Sequence, residues 1–501
     1  MYDWGEEKKR LRGEKNNMTS SVVVEPANVD TISWLECIQL LAELAAPATI
    51  SQFLTISAQS LSTMFVGRFL GPDALAAVSL GTRFISNLGV KFGVGVGTAV
   101  DTLCSQEHGR DTNSTAHGEI VQRAFAIQLI VASLSSIVFL TSPLYFTTLF
   151  GTPIGSLAAM YIVAAGTLYV IPIFGTTTLT KCLQSIGFAT LPTIATAIAT
   201  CSCVIWNVAL IPMLGMYGAA LALALTAWVQ FIALCVLSLR QETVRRALGV
   251  TLYPLRRILD PTGIHVFLKL GVPSAGMVVS ESTPFSLMIV FASVLGGLDA
   301  SSYSASYAVA NLMFTTAYGM SGASAARVGN ALGSNRPHRA RRLCVAAVAL
   351  TLVISLCNVL LLLVTQNWMF SLFTSDEVLI QRCIALIPYM CAVHIVDCVQ
   401  FAFQGIFAAC GKTHLGFLVI MLTLVCTSIP TAAVLAFRFR LGAAGLYTGL
   451  GIGLLLAIPL FAVTVFFYFD FEKLAQIASQ KKVAKYIGED FRHTNVDEML
   501  P

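Results

Sequence analysis

Charged residues are scarce in this sequence: Asp, Glu, Lys and Arg make up only 11% of its 501 residues, whereas about a quarter of the residues in a soluble domain are charged. Hydrophobic residues make up 56%, and the mean hydropathy is +0.76. The net charge of +5 lies in short clusters between apolar runs rather than on one face, which argues against a nucleic acid partner. The composition therefore predicts an integral membrane protein in a lipid bilayer.

Sequence features of secreted proteins and of enzymes are also missing. The N-terminal segment contains no apolar core followed by a small-residue cleavage site, so we expect a cytoplasmic N-terminus rather than a signal peptide. No HExxH motif, metal-ligand cluster or nucleophile elbow occurs, which argues against a membrane-embedded enzyme and predicts neither a metal nor a cofactor. Several of the thirteen cysteines lie in apolar runs without paired loop spacings, and we expect buried small hydrophobes rather than disulfides.

The apolar residues form twelve runs that are long enough to cross a bilayer. A spanning helix needs about 20 apolar residues, and turn-forming segments such as FLGPD and LGMYG separate the runs. We therefore predict an all-α membrane protein with twelve transmembrane helices. The predicted spans are 36–64, 74–98, 119–143, 155–180, 191–213, 217–239, 263–294, 301–326, 343–367, 380–408, 414–436 and 443–468.

Lys and Arg are concentrated on one side of the predicted membrane. They cluster in the N-terminal segment, in the link after the sixth span and in the link after the eighth span. Because cytoplasmic loops are enriched in these cations, we predict that both termini are cytoplasmic and that the acceptor sequences at Asn17 and Asn113 carry no glycan. The clustered cations are Lys8, Lys9, Arg10, Arg12, Lys15, Arg240, Arg245, Arg246, Arg256, Arg257, Arg336, Arg339, Arg341 and Arg342.

The chain contains an internal repeat. Pro47 lies near the start of the first predicted span, and Pro273 lies near the start of the seventh, 226 residues later. An LGxxG pattern that begins at Leu214 recurs at Leu441, 227 residues later. We therefore predict two six-helix repeats around a central cavity. The predicted units are a cytoplasmic N-terminal tail (1–32), an N-lobe (33–240), a basic cytoplasmic linker (241–262), a C-lobe (263–470) and a cytoplasmic C-terminal tail (471–501).

Three segments carry a family resemblance: STMFVGRFLGPDALAAVSL from Ser62, GVGVGTAVDTLCSQEHGR from Gly93 and MSGASAARVGNALGS from Met320. In order and spacing they resemble the signature segments of the multidrug and toxic compound extrusion (MATE) family, most closely its eukaryotic branch. The resemblance implies a two-lobed antiporter that expels organic compounds, such as organic cations and xenobiotics, in exchange for protons. The matching residues include Gly67, Asp101, Gln106, Arg327, Gly329 and Asn330.

The polar signature residues also have a structural interpretation. They lie at the predicted cytoplasmic ends of the second and eighth spans, where polar side chains cap helix ends and fix loops. We favour this interpretation over substrate contact for Asp101, Gln106, Arg327 and Asn330.

Polar residues lie within the tenth predicted span. His394, Asp397 and Gln404 share one helical face with Phe401, and Gln400 lies beside that face. A charged side chain at the centre of a span costs about 2.5–3.5 kcal/mol on insertion scales and therefore usually faces the bundle interior or a wet cavity. The stripe predicts either a functional cavity wall or a polar cluster that holds helices together.

Glu281 is a second acid within a predicted span. Pro284 follows it closely, and we expect this proline to break the regular hydrogen bonding of the helix. Eukaryotic relatives typically have a Glu at the position of Glu281, and a His and an acid at the positions of His394 and Asp397. The resemblance therefore implies a proton-coupling and substrate site at these residues. The sequence departs from the relatives' aromatic pair and second Glu at Ser282, Thr283 and Ser286.

A buried carboxylate resists ionisation because desolvation disfavours its charged form. A proton and an organic cation are therefore expected to compete for Glu281 and Asp397, which is the basis of antiport. His394 is expected to relay the proton or orient the acid, with a purely structural histidine as the alternative. The further cavity-lining candidates are Gln52, Arg83, Asn87, Gln400 and Gln404.

Two cations in the second predicted span are unusual for a membrane helix. Lys91 is expected to snorkel from the inner half of the span toward the membrane surface. Arg83 lies about 15 Å deep at a rise of about 1.5 Å per residue. Arg83 therefore needs an anionic partner or an aqueous cavity. Either an acid across the cavity pairs with it, or the transporter accepts anionic or zwitterionic substrates.

The leading hypothesis is a monomeric proton-coupled antiporter whose partners are small organic substrates, protons and the bilayer. A lipid or lipid-linked precursor flippase, an exporter of anionic or zwitterionic metabolites, and a non-transporting receptor stay open as alternatives, as does coupling to Na⁺. The sequence is compatible with the plasma membrane and with a vacuolar or other organelle membrane.

Overall fold

The computed structural model describes residues 32–151, 154–249, 253–371 and 376–480. These residues form helices joined by short turns, with no strand among them. The N-terminal cations from Lys8 to Lys15, the acceptor site at Asn17 and most of both predicted tails lie outside the described residues. All thirteen cysteines lie within them, and none forms a disulfide.

Twelve helical segments correspond to the twelve predicted spans and are labelled α1 to α12. Ten of them are single helical stretches that are long and apolar enough to cross a bilayer. The other two, α2 and α8, are each made of shorter helices that follow one another along the chain. The ranges are Trp34–Leu70 (α1), Pro72–Phe84 to Ala99–Arg110 (α2), Ala116–Leu140 (α3), Ile154–Ser185 (α4), Thr190–Leu214 (α5), Met216–Arg240 (α6), Pro261–Leu295 (α7), Gly297–Met313 with Thr315–Gly333 (α8), Pro337–Ser371 (α9), Glu377–Cys410 (α10), Thr413–Arg438 (α11) and Gly442–Tyr468 (α12).

Short helices lie between or after these segments, at Pro143–Phe150, Glu242–Leu248, Leu255–Ile258 and Phe471–Gln480. Helix α7 continues through both Pro273 and Pro284. Proline has no amide hydrogen to donate, so the predicted interruption of backbone hydrogen bonding at Pro284 is local and does not end the helix.

Local sequence explains where several helices begin. A capping box starts α1, in which Ser33 Oγ accepts from the Glu36 amide at 3.2 Å while the Glu36 carboxylate accepts from the Ser33 amide at 2.8 Å. Asp260 caps α7 by accepting from the Gly263 amide at 2.9 Å. These bonds satisfy backbone donors that have no partner within the helix.

The repeat predicted from sequence is visible in the backbone. Gly215, between α5 and α6, and Gly442, at the start of α12, both have φ of +57°. Gly71 after α1 and Gly296 after α7 have φ of +88° and +73°. A side chain is disfavoured in this left-handed region, so equivalent turns of the two halves need glycine.

The helices also pack in the same pattern in both halves. In the first half α1 packs on α5, α2 and α3 pack on α4, and α6 packs on α4 and α5. In the second half α7 packs on α11, α8 and α9 pack on α10, and α12 packs on α10 and α11. The chain is therefore a twelve-helix bundle of two lobes with one repeated architecture.

The two lobes meet mainly at one end of the bundle. There, α8 packs against the first part of α1 and the last part of α2, and the middle of α2 packs against α7. A Cβ atom on Gly95 of α2 would lie 2.5 Å from the Cα atom of Ala275 on α7, which shows how closely these backbones approach. The opposite halves of α2 and α8, Pro72–Phe84 and Gly297–Met313, make their main contacts within their own lobes. A cleft therefore opens at that end.

A buried ion network joins α3 to the basic linker at the closed end. Arg123 pairs with Glu119 at 2.7 Å and donates to the backbone carbonyls of Arg257 and Ile258, each at 3.0 Å. The Arg257 guanidinium also pairs with Glu119 at 2.8 Å and lies over the Tyr253 ring. The linker is thus held against the N-lobe by a fully buried carboxylate.

We expect Arg123→Leu to destabilise the protein by about 3 kcal/mol, at the low end for a broken buried ion pair because Arg257 still faces Glu119. The matched control is Arg246→Leu, which breaks the exposed pair between Arg246 and Glu242 and should cost less than about 1 kcal/mol. Thermal unfolding in one detergent measures both variants. Equal midpoints for the two variants would contradict a stabilising role for the buried network.

Candidate functional site

A cavity of about 200 Å³ lies within the C-lobe and faces the N-lobe. Its walls come from α7, α8, α10 and α12, and α2 contributes a single residue. The lining residues are Lys91, Val278, Glu281, Ser282, Phe285, Tyr303, Tyr307, Ala310, Asn311, Phe314, Tyr318, Met390, Val393, His394, Asp397, Phe401, Tyr447 and Leu450.

Two carboxylic acids face this cavity from different helices. Glu281 on α7 is 8% exposed and Asp397 on α10 is 5% exposed, and the two carboxylates interact electrostatically. Within the described part of the chain, Asp397 Oδ1 has no hydrogen-bond partner. A buried polar atom without a partner is costly, so this oxygen is available to a proton or to a ligand.

The polar stripe of α10 divides into two groups. His394, Asp397 and Phe401 line the cavity, as expected from the sequence. Gln400 and Gln404 do not line it, which corrects the prediction that they do: both are buried behind the wall, at 0% and 4% exposure, and Gln404 lies beside Glu281. A helical face is wider than one residue, so only part of it faces the opening.

His394 contacts residues other than Asp397. Its ring nitrogens lie 3.6 and 3.7 Å from Cys398 Sγ, and Asn358 Nδ2 of α9 lies 3.5 Å from Nε2. No hydrogen bond joins His394 to Asp397 in the described residues. The predicted relay therefore requires a rotation of the imidazole or an intervening water, and it stays a prediction.

The second span brings cations to the cleft. Lys91 lines the cavity opposite Glu281, and its ammonium donates to Asn87 Oδ1 at 2.7 Å. The expectation that Lys91 snorkels to the membrane surface is therefore wrong. Arg83 and Asn87 lie on the exposed face of α2, outside the wall of this cavity, and Arg83 interacts electrostatically with Tyr307 across the cleft. Half-buried Gln52 on α1 does not line this cavity either, and its predicted place in a cavity of the opposite lobe stays a prediction.

Aromatic side chains make up half of the remaining lining residues. Phe401 of α10 lies 5.0 Å from Tyr318 and 5.1 Å from Phe314, both of α8, and Tyr303 lies 4.8 Å from Tyr447. Aromatic faces attract cations through their quadrupole. This wall is not among the features predicted above, although one helical face is indicated by the spacing of Tyr303, Tyr307, Asn311, Phe314 and Tyr318.

The polar signature residues lie at the closed end and connect helices, as the structural interpretation expects. Gln106 Nε2 donates to the Ala409 carbonyl at 2.9 Å, which ties the end of α2 to the end of α10. Asn330 donates to the Ser185 carbonyl at 3.1 Å, which ties α8 to α4. These bonds cross between the lobes and satisfy terminal carbonyls.

Two charged signature residues have similar structural contacts. Arg327 of α8 donates to the Leu40 carbonyl of α1 at 3.0 Å and pairs with Glu43 at 3.1 Å. Asp101 pairs with Lys181 of α4. None of these residues lines the cavity described above.

The two glycines among the signature residues provide close packing. An added Cβ on Gly329 would lie 1.9 Å from Ser105 Oγ across the lobe interface, and one on Gly67 would lie 3.3 Å from a Leu75 methyl group. Their small size therefore serves helix packing.

Comparison with known proteins identifies relatives along most of the chain. The family model described as MatE matches residues 47–212 and 273–434, which together exceed half of the chain. Protein DETOXIFICATION 15 of Arabidopsis thaliana is 27% identical over 460 residues, which cover 89% of this chain and 91% of the relative. Multidrug and toxin extrusion protein 1 of Xenopus tropicalis is 26% identical over 457 residues, covering 89% and 77%. The crystal structure of the eukaryotic MATE transporter AtDTX14 matches 89% of this chain and 99% of its own with a TM-score of 0.82 at 21% identity.

Proposed function

The chain belongs to the MatE family of multidrug and toxin extrusion transporters, and from this premise we propose that it is a proton-coupled antiporter that exports organic cations. The observation that carries the proposal is the pair of buried carboxylates, Glu281 and Asp397, which face one aromatic-lined cavity from two helices. Acidic side chains within membrane spans are costly and usually functional. In a transporter that exchanges protons for small organic compounds, such acids carry the proton.

Proton and substrate compete for the same carboxylates in this mechanism. Two neighbouring buried carboxylates resist simultaneous ionisation, so the empty cavity holds a proton. An organic cation that enters from the cytoplasmic side supplies the positive charge instead, and the proton leaves Glu281 or Asp397. Charge in the cavity then stays nearly constant, whichever cargo is bound.

The aromatic wall favours organic cations over small inorganic cations. Tyr307, Tyr318 and Phe401 present apolar rings to the cavity, and these rings bind a diffuse organic ammonium without demanding a particular hydrogen-bond geometry. A small hydrated cation such as Na⁺ prefers several oxygen ligands instead. We therefore favour protons over Na⁺ as the coupling ion.

Alternating access follows from the arrangement of the two lobes. We propose that the closed end, with the linker 241–262 and both termini, faces the cytoplasm, and that the cleft opens to the exterior or to an organelle lumen. The lobes, 33–240 and 263–470, then rock about the cavity. The inter-lobe hydrogen bonds of Gln106 and Asn330 break when the cytoplasmic end opens.

Flux of a labelled quaternary ammonium ion into proteoliposomes tests the proposal. This ion carries a fixed charge and no exchangeable proton, so any proton movement belongs to the protein. An acidic vesicle interior should drive its accumulation, whereas a Na⁺ gradient alone should not. Accumulation driven by Na⁺ alone would overturn proton coupling, and transfer of a labelled lipid between leaflets without ion flux would favour the flippase alternative.

A further inference from the structure

Lys91 contributes a positive charge to the cavity wall. Its ammonium donates to the neutral amide of Asn87 at 2.7 Å, and it forms no salt bridge within the described residues. A lysine ammonium has three donors, so two of them are left to face the cavity. Glu281 lies within electrostatic range, yet Lys91 bonds Asn87 rather than this acid.

Arg83 extends the positive charge from the cavity toward the open end of the cleft. Lys91 bonds Asn87 and lies within electrostatic range of Arg83, so these three side chains lie close together on α2. Arg83 is exposed and lies within electrostatic range of Tyr307 in the cavity wall, and it makes no salt bridge with another described residue. A carboxylate that enters along this side of α2 meets the Arg83 guanidinium, the Asn87 amide and the Lys91 ammonium.

The opposite wall carries the opposite sign. Glu281 and Asp397 on α7 and α10 face the cavity from the C-lobe, whereas Lys91 faces it from the N-lobe. A purely cationic substrate is attracted by the two acids but makes no favourable contact with Lys91, and a purely anionic one is repelled by the two acids. A molecule with one charge of each sign is attracted by both walls.

We propose that Lys91 is a specificity-determining residue that binds the carboxylate of zwitterionic substrates, while Glu281 and Asp397 bind their cationic group. Arg83 attracts the same carboxylate as it enters the cleft. The assignment of the cationic group rests on the proposed function, whereas the role of Lys91 in carboxylate binding does not depend on proton coupling. The substrates thus include organic cations that also carry a carboxylate.

Equilibrium binding of two matched dyes tests this proposal without any ion gradient. A rhodamine free acid is zwitterionic, and its ethyl ester is a cation with the same aromatic rings. Fluorescence anisotropy gives the Kd of each dye for the purified protein and for Lys91→Met. Loss of one charge-assisted hydrogen bond should weaken free-acid binding by about ten- to a hundredfold, and ester binding should stay equal or become tighter.

Two control variants accompany Lys91→Met. Lys91→Arg keeps the charge and should retain most of the affinity for the free acid, and Lys473→Met removes an exposed lysine on the helix Phe471–Gln480 and should leave both affinities unchanged. Equal losses for both dyes in Lys91→Met, no loss for either, or failure of the wild type to bind the free acid would each overturn the proposal. Failure of proton coupling would appear only in the flux assay, so the two hypotheses fail separately.

Discussion

Glu281→Gln is expected to reduce export driven by a pH gradient to nearly the level of vesicles without the protein. The amide has the size of the acid but cannot release a proton, so it imitates the permanently protonated state. If Glu281 contacts the substrate directly, the loss of its charge also weakens binding of a cation by about 1.5–3 kcal/mol. Flux of the quaternary ammonium ion under an imposed pH gradient measures the effect.

Asp397→Asn should show the same defect to a smaller degree, because the match of Glu281 to the family motif is the stronger of the two. Glu472→Gln, which changes an exposed acid on the helix after α12, is the matched control and should transport normally. Wild-type uphill transport by both Glu281→Gln and Asp397→Asn would mean that neither acid couples transport, and the stripe on α10 would then be a structural polar cluster.

Gly109→Ala is expected to abolish most transport because it disturbs the contact between the two lobes rather than the proton site. Gly109 lies at the closed end of α2, and an added Cβ would lie 2.0 Å from the Asn330 carbonyl oxygen of α8. The backbone of the opposite lobe cannot move aside as a flexible side chain would. Overpacking of this kind costs about 1–3 kcal/mol, and the cost falls on the state in which the two lobes meet at this end.

The matched control for Gly109→Ala is Gly451→Ala on α12. Its added Cβ would meet only a Val393 methyl group at 3.3 Å, so transport should fall little. Both variants should fold, as judged by expression and a monodisperse elution profile in detergent. A wild-type transport rate for Gly109→Ala would indicate that the close approach of α2 and α8 is not required in the transport cycle.

The number of spans and the repeat can be predicted from the sequence, but the predicted second span is shorter than α2. The predicted second span ends at residue 98, whereas helix continues to Arg110. Asp101, Gln106 and Glu107 make this end polar, so hydropathy treats it as a loop. These residues are nevertheless buried, at 6%, 8% and 1% exposure. Gln106 bonds across the lobe interface, and Asp101 and Glu107 pair with Lys181 and Arg110 of their own lobe.

Glu281 and Asp397 could be predicted as site residues because a charged side chain within a membrane span has a high free-energy cost and is therefore rare unless it is functional. Lys91 could not be assigned in the same way, since a lysine near a membrane surface usually extends toward water. A π-helical segment, Ile85–Val90, precedes Lys91, and an added residue per turn changes the direction of the side chains that follow. Hydropathy and periodicity assume a regular helix and do not detect this change.

Proton movement during substrate flux tests the central claim most directly. Proteoliposomes that contain a pH-sensitive dye, with the membrane potential clamped, receive a quaternary ammonium ion outside and no initial pH gradient. Antiport predicts that the vesicle interior becomes alkaline as the cation enters, and that Glu281→Gln abolishes this change. Entry of the cation into wild-type vesicles with no change of internal pH would contradict proton-coupled antiport.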